Sequence, residues 1–334
     1  MGAASVIFGC EGLALSPRER DFFRESDPWG FILFARNIEE PSQILRLTSD
    51  LRDAVGRDAP VLIDQEGGRV QRLRAPQWRE WRPPLDQAAI TGETAARSFW
   101  LRSRIMAAEL RALGIDVNCA PTCDLAAAST HPFLRNRCLG SDPARVIELA
   151  RATAEGLMAG GVLPVLKHIP GHGRAVADSH KDLPSVDASL EALRESDFVP
   201  FKALADLPMA MTAHIRYTAL DHLPATQSPR MIGLIRDEIG FDGLLMSDDI
   251  GMEALSGGPG ARARATMAAG CDLVLHCNGE MAAMEEVALA VPPLEGAAQN
   301  RAEAALDRRI LPDRVDMAAF DAEFEALISG GGNG

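Results

Sequence analysis

Residues 167–180 read KHIPGHGRAVADSH, gathering Lys167, His168, His172, Asp178 and His180 into one stretch that also holds Pro170, Gly171 and Gly173. His168 and His172 stand at the spacing that would make them a metal pair on a helix. Pro170 and the two glycines remove that helix, so a metal site is not expected. Cys10, Cys119, Cys123, Cys138, Cys271 and Cys277 form no C-x-x-C pair, and the sequence contains neither a G-x-G-x-x-G nor a G-x-x-x-x-G-K-[ST] loop. No cofactor is therefore expected. What remains is the chemistry of carboxylates, imidazoles and cations. Arg36, Asp64, Asp124, Lys167–His168, His214, Asp248–Asp249 and His276 each end or follow an apolar run. A carboxylate on one such end, with an Asp-x-His (Asp178, His180) in a loop, suits metal-free acid–base or nucleophilic hydrolysis. Asp and cationic side chains able to bond several hydroxyls point to a sugar.

Some of these residues have plainer readings. His276 and Cys277 are expected to cap a buried strand, and Asp242 to serve a turn. Asp249 reads as a hydrogen-bonding neighbour of Asp248, and Cys119 and Cys123 as core packing.

The elements that must position these groups are short, β-branched, near-continuously apolar runs. They lie at 5–9, 30–35, 60–64, 114–118, 161–168, 208–214, 243–248 and 272–277. Apolarity without alternation is the pattern of strands buried on both faces of a parallel sheet. Helical stretches separate most of them. Ser16–Pro17 with Glu19 reads as a capped helix start, Ser228–Pro229 repeats the device, and Gly240 reads as the following helix stop. The segments 94–113, 143–159 and 189–206 carry helix-spaced apolar residues, and 290–328 reads as one or two terminal helices over the barrel bottom or side. Together these predict an α/β fold, a single-domain (β/α)8 barrel over 1–328, with a flexible glycine-rich tail at 329–334. A doubly wound sheet is the main rival. In such a barrel, the polar strand ends converge on one rim.

Composition narrows the class of function. With 334 residues, 47% of them hydrophobic, and a formal net charge of −13, the chain has core enough for a large barrel and the wrong sign for nucleic acid. The N-terminal MGAASVIFGCEGL has no basic residue ahead of its apolar run, unlike a secretory signal, and LMAGGVLPVL is too short to span a bilayer. Cysteines in apolar contexts read as reduced thiols. A cytoplasmic protein that binds no membrane is expected, with its oligomeric state unread.

The segments IDQEGGRVQRL (63–73), KHIPGHG (167–173), ADSH (177–180), MTAHI (211–215) and MSDDIGM (246–252) resemble, in order, the signatures of glycoside hydrolase family 3. They are most similar to its single-domain NagZ-type β-N-acetylglucosaminidases. The resemblance implies a retaining exo-β-N-acetylglucosaminidase that works through a covalent glycosyl-Asp intermediate. It implies Asp248 as nucleophile, His180 as general acid/base and Asp178 as its dyad partner. Asp64, Arg72, Arg137 (in NRCLG), Lys167 and His168 match the sugar-binding positions. The implied substrate is a GlcNAc–1,6-anhydro-MurNAc fragment in cell-wall recycling. Ile169 stands where Phe is commoner, RCLG replaces Arg-small-Phe-Gly, and DIGM replaces DLSM. The alternatives are a β-glucosidase-like member, which usually carries a second domain for which this chain has no room, and a non-catalytic sugar-binding barrel. The loop after Lys167–His168 is expected to be released by Pro170, Gly171 and Gly173, bringing Asp178 and His180 over the site.

Overall fold

The eight apolar runs become eight parallel strands: β1 (Ala4–Gly9), β2 (Pro28–Leu33), β3 (Val61–Ile63), β4 (Val117–Asn118), β5 (Leu163–Ile169), β6 (Met209–Thr212), β7 (Leu244–Asp249) and β8 (Leu273–His276). In this computed structural model, which describes residues 2–175 and 183–330, each strand pairs with its neighbours in chain order. β8 then closes on β1 through Val6↔Val274, Ile7↔Leu275 and Phe8↔His276. The fold is the (β/α)8 barrel that the strand pattern predicts. Inward-facing Ile7, Ile32, Leu62, Val117, Val165, Met211, Met246 and Leu275 fill the barrel, each at most 3% exposed. The outward faces are covered by helices, so both faces are dry and neither can carry an alternating polar pattern.

Local signals act as expected at the helix starts. Ser16 and Glu19 form a reciprocal capping box (Glu19 N to Ser16 Oγ 3.2 Å, Ser16 N to Glu19 Oε2 2.9 Å) ahead of helix Pro17–Ser26. Ser228 Oγ accepts from Met231 N at 3.0 Å at the start of Pro229–Asp237. The expected 189–206 helix is instead two, Leu190–Glu195 and Val199–Ala203. Pro200 explains the break: it has no N–H to give the Ser196 carbonyl, and its ring excludes that carbonyl from a continuous helix.

Helix Gly296–Asp307 plugs the barrel bottom, where Leu294, Ala302 and Ala305 join the interior cluster. Helix Met317–Gly330 lies along the side against Ala95–Ala112, with Trp100 edge-on to Phe320 at 5.5 Å and Arg97 paired with Glu323 at 2.7 Å. Buried Asp116 ties the bottom together by accepting from Val61 N (2.7 Å) and Arg309 (2.5 Å). All six cysteines are buried and free. No described helix is long and apolar enough to cross a membrane.

Candidate active site at the C-terminal rim of the barrel

The strand ends open onto a cavity of about 190 Å³ lined by Asp64, Arg72, Arg137, Lys167, His168 and Asp248, among others. Asp64 follows β3 directly, and the chain then turns back in a hairpin (Gln65–Gly67 against Val70–Gln71) that delivers Arg72 to the same rim. The Gln65 side chain shapes this hairpin, with its Oε1 accepting from Arg72 N and Leu73 N at 2.9 and 3.1 Å. Lys167 and His168 reach the cavity from the end of β5, where the Lys167–His168 peptide bond is cis.

Lys167 is 1% exposed and survives as a buried cation because two carboxylates meet it: Asp64 Oδ1 at 3.0 Å and Glu66 Oε1 at 2.5 Å. Arg72 adds a 3.0 Å bond to Asp64 Oδ2, and Arg137 grips Glu66 through two parallel bonds of 2.9 and 2.8 Å. Burial by itself would raise both carboxyl pKa values. The cations outweigh it, holding Asp64 far below its ordinary value and Glu66 down from 4.5 to about 2. Burial likewise opposes the Lys167 charge, but the two carboxylates push its pKa above the ordinary lysine value. The network is therefore ionised throughout the neutral range.

Removing its hub has a predictable sign. Lys167→Met leaves the buried Glu66 and the half-buried Asp64 short of a counter-charge, which costs about 3–5 kcal/mol. In the wild type, Glu66 contributes stability that is fully present above pH 4.5 and is lost as the pH falls toward 2. In the variant, protonation relieves the uncompensated charge instead. The melting-temperature gap between the two proteins should therefore be wide at pH 7 and narrow toward pH 3. A gap independent of pH would show that Lys167 acts there by packing alone.

His168 is oriented from behind. Asp124, fully buried, accepts from its Nδ1 at 2.7 Å, which leaves Nε2 as the lone-pair nitrogen facing the Arg137 guanidinium at 3.4 Å. The other Asp124 oxygen accepts from the backbone N of His172 at 2.6 Å. Asp248 ends β7 and accepts from the Asp249 amide at 2.8 Å. Burial would raise its pKa, but the His214 and His168 imidazoles, which attract the carboxylate in their protonated forms, together with that amide and the Lys167 ammonium, hold it below the ordinary aspartate value. Asp248 is thus an anion in the cavity at neutral pH. Asp249 is committed to the backbone, its Oδ1 taking Gly251 N at 2.9 Å and Cys277 N at 3.2 Å.

His214 secures this strand end. Its Nε2 lies 2.9 Å from the Asp249 carbonyl, which can only accept, so Nε2 carries the proton. Burial lowers the ring's pKa, and Nδ1 lies 2.7 Å from the Thr226 hydroxyl, which also lies 3.1 Å from the Ala213 carbonyl. Thr226 also shares a 2.8 Å hydroxyl–hydroxyl bond with Thr212. This buried hydrogen-bonded cluster braces the backbone next to Asp248.

Of the residues singled out in the sequence, the structure brings Asp64, Arg72, Arg137, Lys167, His168 and Asp248 around one cavity, with Asp124 and His214 immediately behind. Asp178 and His180 lie outside the described residues. Arg36 does not line the cavity: it bonds the carbonyls of Cys10 (3.0 Å) and Cys277 (2.5 Å), tying the ends of β1, β2 and β8. His276 is fully buried edge-on to Phe8, as a strand cap.

Pro170, Gly171 and Gly173 are all buried, and the loop they are expected to release, with Asp178 and His180, lies outside the described residues. Gly171 adopts a φ of 137° and its carbonyl accepts from the Tyr217 hydroxyl, and a side chain on Gly173 would meet the Leu125 carbonyl at 2.2 Å. These glycines permit close packing of the turn. Glu66 was missed, although its position two residues beyond Asp64 in an extended segment was a readable signal. Phe34, Arg69, Phe133 and Met252 also line the cavity, and nothing in their spacing announced it.

Comparison with known proteins agrees with this arrangement. The profile of the Glycosyl hydrolase family 3 N terminal domain matches residues 19–311. A β-hexosaminidase of Alkalilimnicola ehrlichii is 41% identical over 284 residues, covering 82% of this chain and 80% of its own. One from Pseudomonas aeruginosa is 39% identical over 292 residues, covering 86% and 85%. The structure of NagZ from Neisseria gonorrhoeae in complex with N-trifluoroacetyl-D-glucosamine superposes with a TM-score of 0.84 at 28% identity, covering 99% of this chain and 98% of that one.

Proposed function

This chain belongs to glycosyl hydrolase family 3 and is a glycoside hydrolase of the β-N-acetylhexosaminidase type, and we propose that it removes terminal β-linked GlcNAc with retention of configuration through a glycosyl-Asp248 intermediate. The observation that carries this reading is the ionised, half-buried Asp248 sharing one cavity with Asp64, Arg72, Arg137, Lys167 and His168. Asp248 attacks the anomeric carbon from one face while His180 protonates the departing oxygen. Water then displaces Asp248 from the sugar, with His180 as base, so two inversions restore the configuration. A histidine with an ordinary pKa near 6.5 suits both proton transfers at neutral pH, and Asp178 orients its ring and supports the imidazolium. The charged set around Asp64 and Lys167 bonds the sugar hydroxyls.

The substrate in this reading is a GlcNAc–1,6-anhydro-MurNAc fragment of peptidoglycan, and the setting is cell-wall recycling in the cytoplasm. It is favoured by the likeness to NagZ and by six cysteines held as free buried thiols. The test is to assay aryl β-N-acetylglucosaminide and aryl β-glucoside side by side, and to follow the anomer first released by NMR. The expected result is at least about 10²-fold higher kcat/KM on the N-acetylated substrate, with the β anomer released first. Preference for the glucoside would make the protein β-glucosidase-like. Tight binding without turnover of either would make it a sugar-binding barrel.

A further inference from the structure

His172 is 2% exposed, lines the cavity, and among the described residues has no hydrogen-bond partner on either ring nitrogen. Polar atoms buried without partners are costly, and two on one ring that also lines the cavity mark a place where a ligand can supply the partners. The ring's position is fixed without them. The His172 amide donates to Asp124 at 2.6 Å, the His172 carbonyl accepts from Ala175 N at 3.0 Å, and the ring stands edge-on to His168 (5.7 Å) and Phe133 (6.0 Å). Burial pulls its pKa down to about 4, against the attraction of Asp124. At neutral pH the ring is therefore uncharged, with one N–H donor and one lone pair.

The rest of the cavity is different. Asp64, Arg72, Lys167 and Arg137 are charged and already bonded to one another or to Glu66, a setting for hydroxyls that insert between charges. The His172 and Phe133 rings make an uncharged, partly apolar patch, bordered by the Arg69 guanidinium 5.8 Å from the Phe133 centroid. A secondary amide ending in a methyl group is its chemical complement: N–H and C=O for the imidazole, methyl for the phenyl ring.

We infer that His172 reads the 2-acetamido group of the bound sugar, hydrogen-bonding its amide while Phe133 flanks its methyl, and so sets the preference for N-acetylhexosamine over hexose. This rests on the proposed function. Because no described residue bonds the ring nitrogens, replacing the imidazole removes no hydrogen bond among them. His172→Leu should therefore melt no lower than the wild type, and His172→Gln, which keeps a donor and an acceptor, provides a second variant should the leucine disturb the turn.

The experiment measures kcat/KM on 2,4-dinitrophenyl β-N-acetylglucosaminide and 2,4-dinitrophenyl β-glucoside for the wild type and both variants. The expected result is a selectivity ratio lowered by about 10- to 100-fold in His172→Leu and by less in His172→Gln, through loss on the N-acetylated substrate. Equal losses on both substrates, or an unchanged ratio, would overturn the assignment. A wild type that prefers the glucoside would instead sink the functional reading, and this inference with it.

Discussion

Asp248→Asn is expected to fold as the wild type does and to lose at least about 10⁴-fold in kcat. The amide is nearly isosteric and its oxygen can still accept from Asp249 N, the contact now made at 2.8 Å, so the rim keeps its shape. What disappears is the anion that attacks the anomeric carbon, and no neighbour can replace it. Asp249 has its Oδ1 engaged by the Gly251 and Cys277 amides, and Asp64 is held by Lys167 and Arg72. A fluorosugar that traps the glycosyl-enzyme should label Asp248 of the wild type, read by peptide mass, and should label nothing in the variant. A label on Asp249 would transfer the nucleophile to the residue that the geometry makes structural.

The second large effect depends on the leaving group. His180→Ala removes the proton donor, and a sugar alkoxide needs that proton where a dinitrophenolate hardly does. Cleavage of a natural disaccharide should fall by about 10²- to 10⁴-fold, while formation of the glycosyl-enzyme from a dinitrophenyl glycoside should be nearly spared. Deglycosylation loses its base in the same variant, so the intermediate should accumulate and appear as a burst. Asp178→Ala should give a smaller version of this pattern, because it acts through His180. Equal losses on both substrates without a burst would reduce His180 to a binding residue and transfer the acid to another group. His172 is a poor heir to that role, since burial keeps it unprotonated down to about pH 4.

The barrel was legible in the sequence for a physical reason. Strands dry on both faces admit almost no polar residue, so each reads as an unbroken apolar run, and polar residues such as Asp64, Lys167 and Asp248 mark where each run meets the rim. Helix starts were legible for a similar reason, because Ser16 with Glu19, and Ser228 with Pro229, act within a few residues. The break at Pro200 belongs to the same local chemistry and was obscured by the apolar spacing on either side of it.

What tertiary structure decided is which charges meet. Asp64 and Lys167 are 103 positions apart, and Glu66 and Arg137 are 71 apart. Only barrel closure sets these side chains within hydrogen-bond distance, and only then does a buried lysine become tolerable. Residue type alone equally left undecided whether Arg36 would join the cavity or lock strand ends, and whether the glycines at 171 and 173 would loosen a loop or let it pack. Those outcomes depend on what stands opposite each residue across the rim. His172 shows the division most plainly: its imidazole was visible at once, but only the fold could bury its two nitrogens where no described residue bonds to them.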